Sequence, residues 1–87
     1  AVHGGVLFSL LDSVMGATIR SVSGTPLVTV NMSIHYLAAV QAGENIIARA
    51  AIIHSGKSIV TAEGFLEDED GALKAKTIGT FKLLRLS

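Results

Sequence analysis

The chain has 87 residues, enough for one domain and too few for two. Hydrophobic residues make up 49% of it, charged residues 16%, and the mean hydropathy is +0.56; a small monomer does not easily hide that much apolar surface, so an oligomer is expected. A net charge of +0 and a pI of about 7.1 offer nucleic acid no basic field, and the lack of cysteine excludes disulfides and thiolate chemistry and is compatible with a reducing, cytoplasmic compartment.

Residues 4–22 read as one helix. Val6, Leu7, Leu10, Leu11, Val14, Met15 and Ile19 recur at helical spacing, and Phe8, Ala17 and Thr18 fill much of the remaining circumference. A helix apolar nearly all round is a central, wrapped helix. Asp12 interrupts it and Arg20 closes it, so the stretch falls short of the unbroken run of about 20 apolar residues that a membrane span needs. No basic segment precedes it, which argues against a signal peptide. The first residue is Ala rather than Met, as expected of a processed, truncated or partly recorded N-terminus.

Gly24 and Pro26 end the helix, and the periodicity then changes to two. Val28, Val30, Met32, Ile34 and Tyr36 alternate with Thr29, Asn31, Ser33 and His35 in a first strand. After a turn at 41–44, residues 46–53 form a second strand, ended by Ser55-Gly56. Residues 58–66 form a third, ended by the acidic run 67–70 and Gly71, which reads as a solvated hairpin tip. Residues 73–84 form a fourth, with Lys74, Lys76, Thr80 and Lys82 outward and Leu73, Ala75, Thr77, Phe81 and Leu83 inward. Short turns between long strands predict an antiparallel meander, and one helix on one sheet makes an α+β domain over residues 1–87.

Asp12 is the residue that asks for a function. A carboxylate in an otherwise uncharged helix must be solvated, paired or used. Eight residues upstream, Gly4-Gly5 can leave backbone N–H groups bare at the helix entrance, where the dipole is positive; a tight helix entry is the plainer reading. Gly4 and Asp12 lie about 12 Å apart along the axis, too far for both to touch one reacting group, so a site using both draws them from different subunits. His3, His35 and His54 show no metal-ligand spacing, and no metal is expected.

Several motifs occur in a fixed order: His3-Gly4-Gly5 followed by Leu10 and Asp12, Val28-Thr29-Val30-Asn31-Met32, Tyr36-Leu37, Gly43-Glu44, His54-Ser55-Gly56-Lys57, Glu69-Asp70-Gly71 and Gly79-Thr80-Phe81. Together they resemble the hotdog-fold thioesterase superfamily, in particular the phenylacetic-acid-degradation (PaaI-type) acyl-CoA thioesterases. The resemblance implies a hotdog fold, one long central helix wrapped by an antiparallel sheet. It also implies hydrolysis of an aryl- or medium-chain acyl-CoA to the free acid and CoA, with no cofactor beyond the CoA of the substrate. Hotdog proteins dimerise through a continuous sheet, so a homodimer is implied as the catalytic unit, assembled into a tetramer as a dimer of dimers.

Residue by residue, the resemblance gives Gly4 the oxyanion-hole N–H and Asp12 the role of general base or nucleophile. It gives Thr29 the orientation of the water or the acid, against the alternative of a threonine chosen for β-propensity. Gly56, Lys57 and Ser58 would line the CoA groove, with Lys57 on a phosphate or simply solvated. His3 and Gly5 support the helix entry. Relatives usually carry an N-terminal strand and an asparagine-bearing loop ahead of this motif; the asparagine maps onto no residue here, as expected either of a truncated record or of a site that lacks one helper. A hotdog hydratase is a weaker reading, since its histidine-plus-acid motif is not found. A non-catalytic acyl-CoA-binding or sensing module is the main alternative, without a preceding helix-turn-helix to couple it to DNA.

Overall fold

Leu7, Leu11, Met15 and Ile19 recur every fourth residue along helix α1 (Gly4–Ser23), and this stripe is buried. Such spacing keeps the side chains close to one line, so a single sheet surface covers them all. The helix stops at Gly24, whose φ of 68° lets its N–H donate to the Arg20 carbonyl at 2.8 Å. The computed structural model describes residues 4–84. Four strands follow the helix: β1 (Leu27–Tyr36), β2 (Ile46–Ser55), β3 (Ile59–Asp68) and β4 (Leu73–Leu83). Helix and strands stand where the periodicity puts them, and the domain is the expected hotdog arrangement of one helix on an antiparallel sheet.

The strand order corrects the simple meander. β2, β3 and β4 are hairpin neighbours, but β1 pairs with β4, giving the order β1-β4-β3-β2 with every pair antiparallel. Segment 37–45 therefore carries the chain between opposite edges of the sheet. The cause is visible in what that segment buries and bonds. Val40 is buried beside Leu7 and Leu11, and the N–H groups of Leu37 and Ala38 donate to the Lys74 carbonyl at 2.8 and 3.1 Å. Lys74 Nζ donates to the Ala39 carbonyl at 3.3 Å and pairs with Glu44 at 3.1 Å. These bonds tie the crossing to the start of β4.

The core forms two lobes along the helix. Met15, Ile19, Val60, Ala62, Phe81 and Leu83 make one, and Leu7, Leu11, Val40, Leu66 and Ala75 the other. Each large side chain fully buried there contributes about 1.5–3 kcal/mol. Gly64 and Gly79 admit Met15 between them: a Cβ on either would stand 3.0 Å from Met15 side-chain atoms. Thr77, buried as expected, donates its hydroxyl to the Ser33 carbonyl at 2.5 Å. Leu73, expected inward, is instead 37% exposed.

By length and composition α1 would pass as a membrane span, but its Leu7-to-Ile19 stripe is buried on the sheet, as in a core helix. Residues beside that stripe, among them Phe8, Asp12 and Val14, are half-buried, while Val6 and Val22 are exposed in the single chain. The acidic run is more than a solvated tip. Glu69 and Asp70 are exposed, whereas Asp68 accepts the N–H groups of Asp70 and Ala72 at 3.0 and 2.8 Å and so builds the turn. Glu67 pairs with Arg49 at 2.6 Å.

Candidate active site

Strict alternation along β1 would put Thr29 on the outer face of the sheet with Asn31, Ser33 and His35. The structure puts it on the helix side. Register shifts at Val30: Thr29 lies opposite Phe81 and Asn31 opposite Thr80, leaving Val30 as the extra residue of a β-bulge. Leu27 and Thr29 before the bulge thus share a face with Met32 and Ile34 after it, because a one-residue insertion reverses the alternation.

The bulge brings Thr29 to Asp12. Thr29 Oγ1 donates to Asp12 Oδ1 at 2.8 Å, joining strand and helix across 17 positions of sequence. Asp12 is half-buried at the wall of an open groove, with Thr29 at the rim. Among the described residues this is the one hydrogen bond to the Asp12 side chain, so Oδ2 remains free for water or substrate. Ser13, Gly16, Ala17 and Arg20 continue the groove along α1, and Pro26, Leu27 and Phe81 line it from the sheet side. Sequence reasoning did not single out Gly16 or Arg20 for this site; their signal was the spacing of four and eight residues beyond Asp12.

The other predicted positions lie apart from this pair. Gly4 is the first residue of α1, two helical turns and about 12 Å along the axis from Asp12. Gly5 is exposed, and a Cβ there would meet nothing within 4 Å among the described residues. His3 lies outside the described residues. Gly56, Lys57 and Ser58 form the β2–β3 turn and do not line the groove that holds Asp12. Gly56 shapes that turn, since its N–H donates to the Ile59 carbonyl at 2.8 Å and a Cβ would stand 3.0 Å from that oxygen. Lys57 is exposed. His35 and His54 are exposed strand residues opposite Lys76 and Thr61, and no three acidic or histidine side chains converge as metal ligands among the described residues.

The domain as a whole has counterparts among known proteins. The family model of the thioesterase superfamily matches residues 1–75. The chain belongs to that superfamily. A Bacillus halodurans protein solved with CoA is 34% identical, with a TM-score of 0.88, over 99% of this domain and 58% of that chain. The E. coli PaaI protein of the phenylacetic acid degradation operon is 26% identical with a TM-score of 0.93, over 98% of the domain and 61% of that chain. A hypothetical thioesterase of Streptococcus pneumoniae, solved with coenzyme A, is 27% identical with a TM-score of 0.90, over 94% and 65%. That protein has also been solved with an aspartate, and separately with a threonine, replaced by alanine. The domain thus spans about 58% to 65% of these three solved chains. No curated protein matches it.

Proposed function

We propose that this domain hydrolyses acyl-CoA thioesters, releasing the free acid and CoA, with an aryl- or medium-chain acyl group in the groove beside Asp12. The observation that carries the reading is the 2.8 Å bond from Thr29 to Asp12, made possible by a bulge that turns a polar side chain away from the solvent face. Membership of the thioesterase superfamily and the CoA-bound neighbours support the substrate class.

In this mechanism the Thr29 hydroxyl holds Oδ1 and leaves Oδ2 facing the thioester. Acting as base, Asp12 takes a proton from water as the water oxygen attacks the carbonyl carbon; acting as nucleophile, Oδ2 attacks directly and water then cleaves the resulting anhydride. Either route gives a tetrahedral intermediate whose oxyanion needs a donor, and whose collapse breaks the C–S bond and releases CoA as the thiol after protonation. The Gly4 N–H at the bare helix entrance is that donor, with Gly5 leaving the approach open and His3 supporting the entry.

Because Gly4 cannot reach Asp12 of its own chain, the donor comes from a second copy. The free edge of β1, with Val6 and Leu10 exposed on the helix side and Val28 on the outer face of the sheet, supplies apolar surface on which two copies meet. The homodimer is then the catalytic unit, and a dimer of dimers covers further apolar surface. Lys57, with Gly56 and Ser58, contacts a CoA phosphate outside the groove. The compartment is the cytoplasm, and no metal or cofactor takes part.

A panel of CoA thioesters, read by thiol release and by calorimetric binding, tests the reading. Turnover with at least one aryl or medium-chain member is expected. Tight binding of the panel without thiol release would replace the enzyme with an acyl-CoA sensor.

A further inference from the structure

The groove has two ends, and the hydrolysis mechanism uses one of them. Asp12, Gly16 and Arg20 follow at four-residue intervals and border it along one line of α1. Asp12 and Thr29 form one end, and Arg20 stands two turns away, about 12 Å along the axis. Apart from Ser13 next to the acid, the stretch between is lined by small and apolar groups. Gly16 presents no side chain, and a Cβ there would lie 3.8 Å from Leu27 Cδ1, while Ala17, Pro26 and Leu27 complete the walls.

Arg20 also differs from the basic residues engaged on the sheet. Arg49, Lys74 and Lys76 pair with Glu67, Glu44 and Glu63, whereas the Arg20 guanidinium has no ion pair or hydrogen bond among the described residues. A cation in the last turn of a helix suits the dipole. That accounts for a basic residue at this position in the helix, and not for its place on the wall of the groove that holds the acid.

We propose that Arg20 is a specificity residue and that the groove selects thioesters whose acyl group ends in a carboxylate. The inference rests on the thioesterase reading and adds the substrate class to it. With the thioester carbonyl at Asp12, the methylenes of the acyl chain lie along Gly16, Ala17 and Leu27, and the far carboxylate meets the guanidinium, whose planar fork matches it bidentately. A chain ending in a methyl group instead leaves the guanidinium partly desolvated against an apolar tail. Asp12 sets the lower limit on length, since a short acyl group would hold its own carboxylate beside that of Asp12. An extended chain advances about 1.2 Å per bond, which favours diacids of about six to eight carbons over a 12 Å groove that the arginine side chain partly spans.

Matched pairs of substrates test this: adipyl-CoA against hexanoyl-CoA and suberyl-CoA against octanoyl-CoA, with phenylacetyl-CoA as an uncharged aryl reference. The unmodified protein should show kcat/KM roughly tenfold higher for the diacid member of each pair, a ratio in the range of charge-assisted hydrogen bonds. In Arg20→Leu that ratio should fall to about one or below, and in Arg20→Glu it should invert, while Arg20→Lys should retain part of it. Altered helix stability would change both members of a pair together and leave the ratio intact. Inhibition by free CoA, measured on the same variants, separates a carboxylate on the acyl group from a phosphate on the CoA. If Arg20→Leu weakens free CoA inhibition and leaves the diacid ratio unchanged, the guanidinium binds phosphate and the proposal fails. Preference for hexanoyl- or phenylacetyl-CoA by the unmodified protein also overturns it, while leaving the thioesterase reading in place. Hydrolysis of none of the five thioesters overturns both.

Discussion

Replacing Thr29 by valine removes one hydroxyl and little else. Valine keeps the β-branched shape and the strand propensity of threonine, so the bulged start of β1 should persist. What is lost is the 2.8 Å bond to Asp12 Oδ1. A hydrogen bond to a charged group contributes about 1.5–3 kcal/mol, and Thr29 lies at the exposed rim where water replaces part of it, so about 1–2 kcal/mol is a fair expectation. If the bond positions the carboxylate for reaction, that loss appears in kcat as a decrease of roughly 5- to 30-fold, with KM little changed. Thr29→Ser, which keeps the hydroxyl and gives up β-branching, should stay within about threefold of the unmodified protein. Steady-state thiol release from a hydrolysed acyl-CoA, with urea unfolding of each variant alongside, measures both effects. A valine variant as active as the unmodified protein, beside a weakened serine variant, would mean that Thr29 serves the strand and not the acid.

Three further outcomes follow from particular contacts. Gly64→Ala places a Cβ 2.8 Å from Thr77 Cγ2, a methyl group held by the hydroxyl bond to Ser33, so chemical denaturation should show a loss of about 1–3 kcal/mol. Glu44 has its carboxyl held below the ordinary carboxylate range, first by the N–H of Gln41 and then by Lys74. A lowered folded-state pKa contributes stability above the unfolded pKa and loses it as pH falls through the folded value, so Glu44→Gln should lower the urea midpoint at pH 7 and close that gap on acidification below the carboxylate range. Gly4→Pro keeps a residue suited to the first helical position but removes its N–H; it should cut kcat about 100-fold or more, and mixing it with Asp12→Asn should restore about a quarter of full activity through hybrid dimers with one intact site.

The helix and the four strands were legible because each carries a long, clean period. Leu7, Leu11, Met15 and Ile19 mark the helix, and Ala75, Thr77, Phe81 and Leu83 alternate through β4 to the core as expected. The order of the strands was harder to read, because pairing partners are set by tertiary contacts. The length of segment 37–45, longer than a hairpin loop, and its apolar Val40 were the available signs that it crosses the sheet. Asp12 stood out as a lone acid. Its partner Thr29 was recognisable as a residue but not as a neighbour, since the alternation of β1 runs unbroken through the bulge at Val30. The bulge leaves no mark on the polar-apolar pattern here because the inward Thr29 is polar and the outward Val28 apolar. Arg20 and Gly16 gain their meaning only once Pro26 and Leu27 fold back beside the helix to make a groove.

Asp12→Asn is the most direct test of the account. The amide still accepts the Thr29 hydroxyl through its oxygen but offers neither a base nor a carboxylate nucleophile. Single-turnover hydrolysis of an acyl-CoA that the unmodified protein cleaves should slow about 100- to 10,000-fold, with the sedimentation behaviour of the unmodified protein unchanged and thioester binding retained by calorimetry. Turnover within a few-fold of the unmodified rate would contradict the assignment of Asp12 as the acid that performs the reaction.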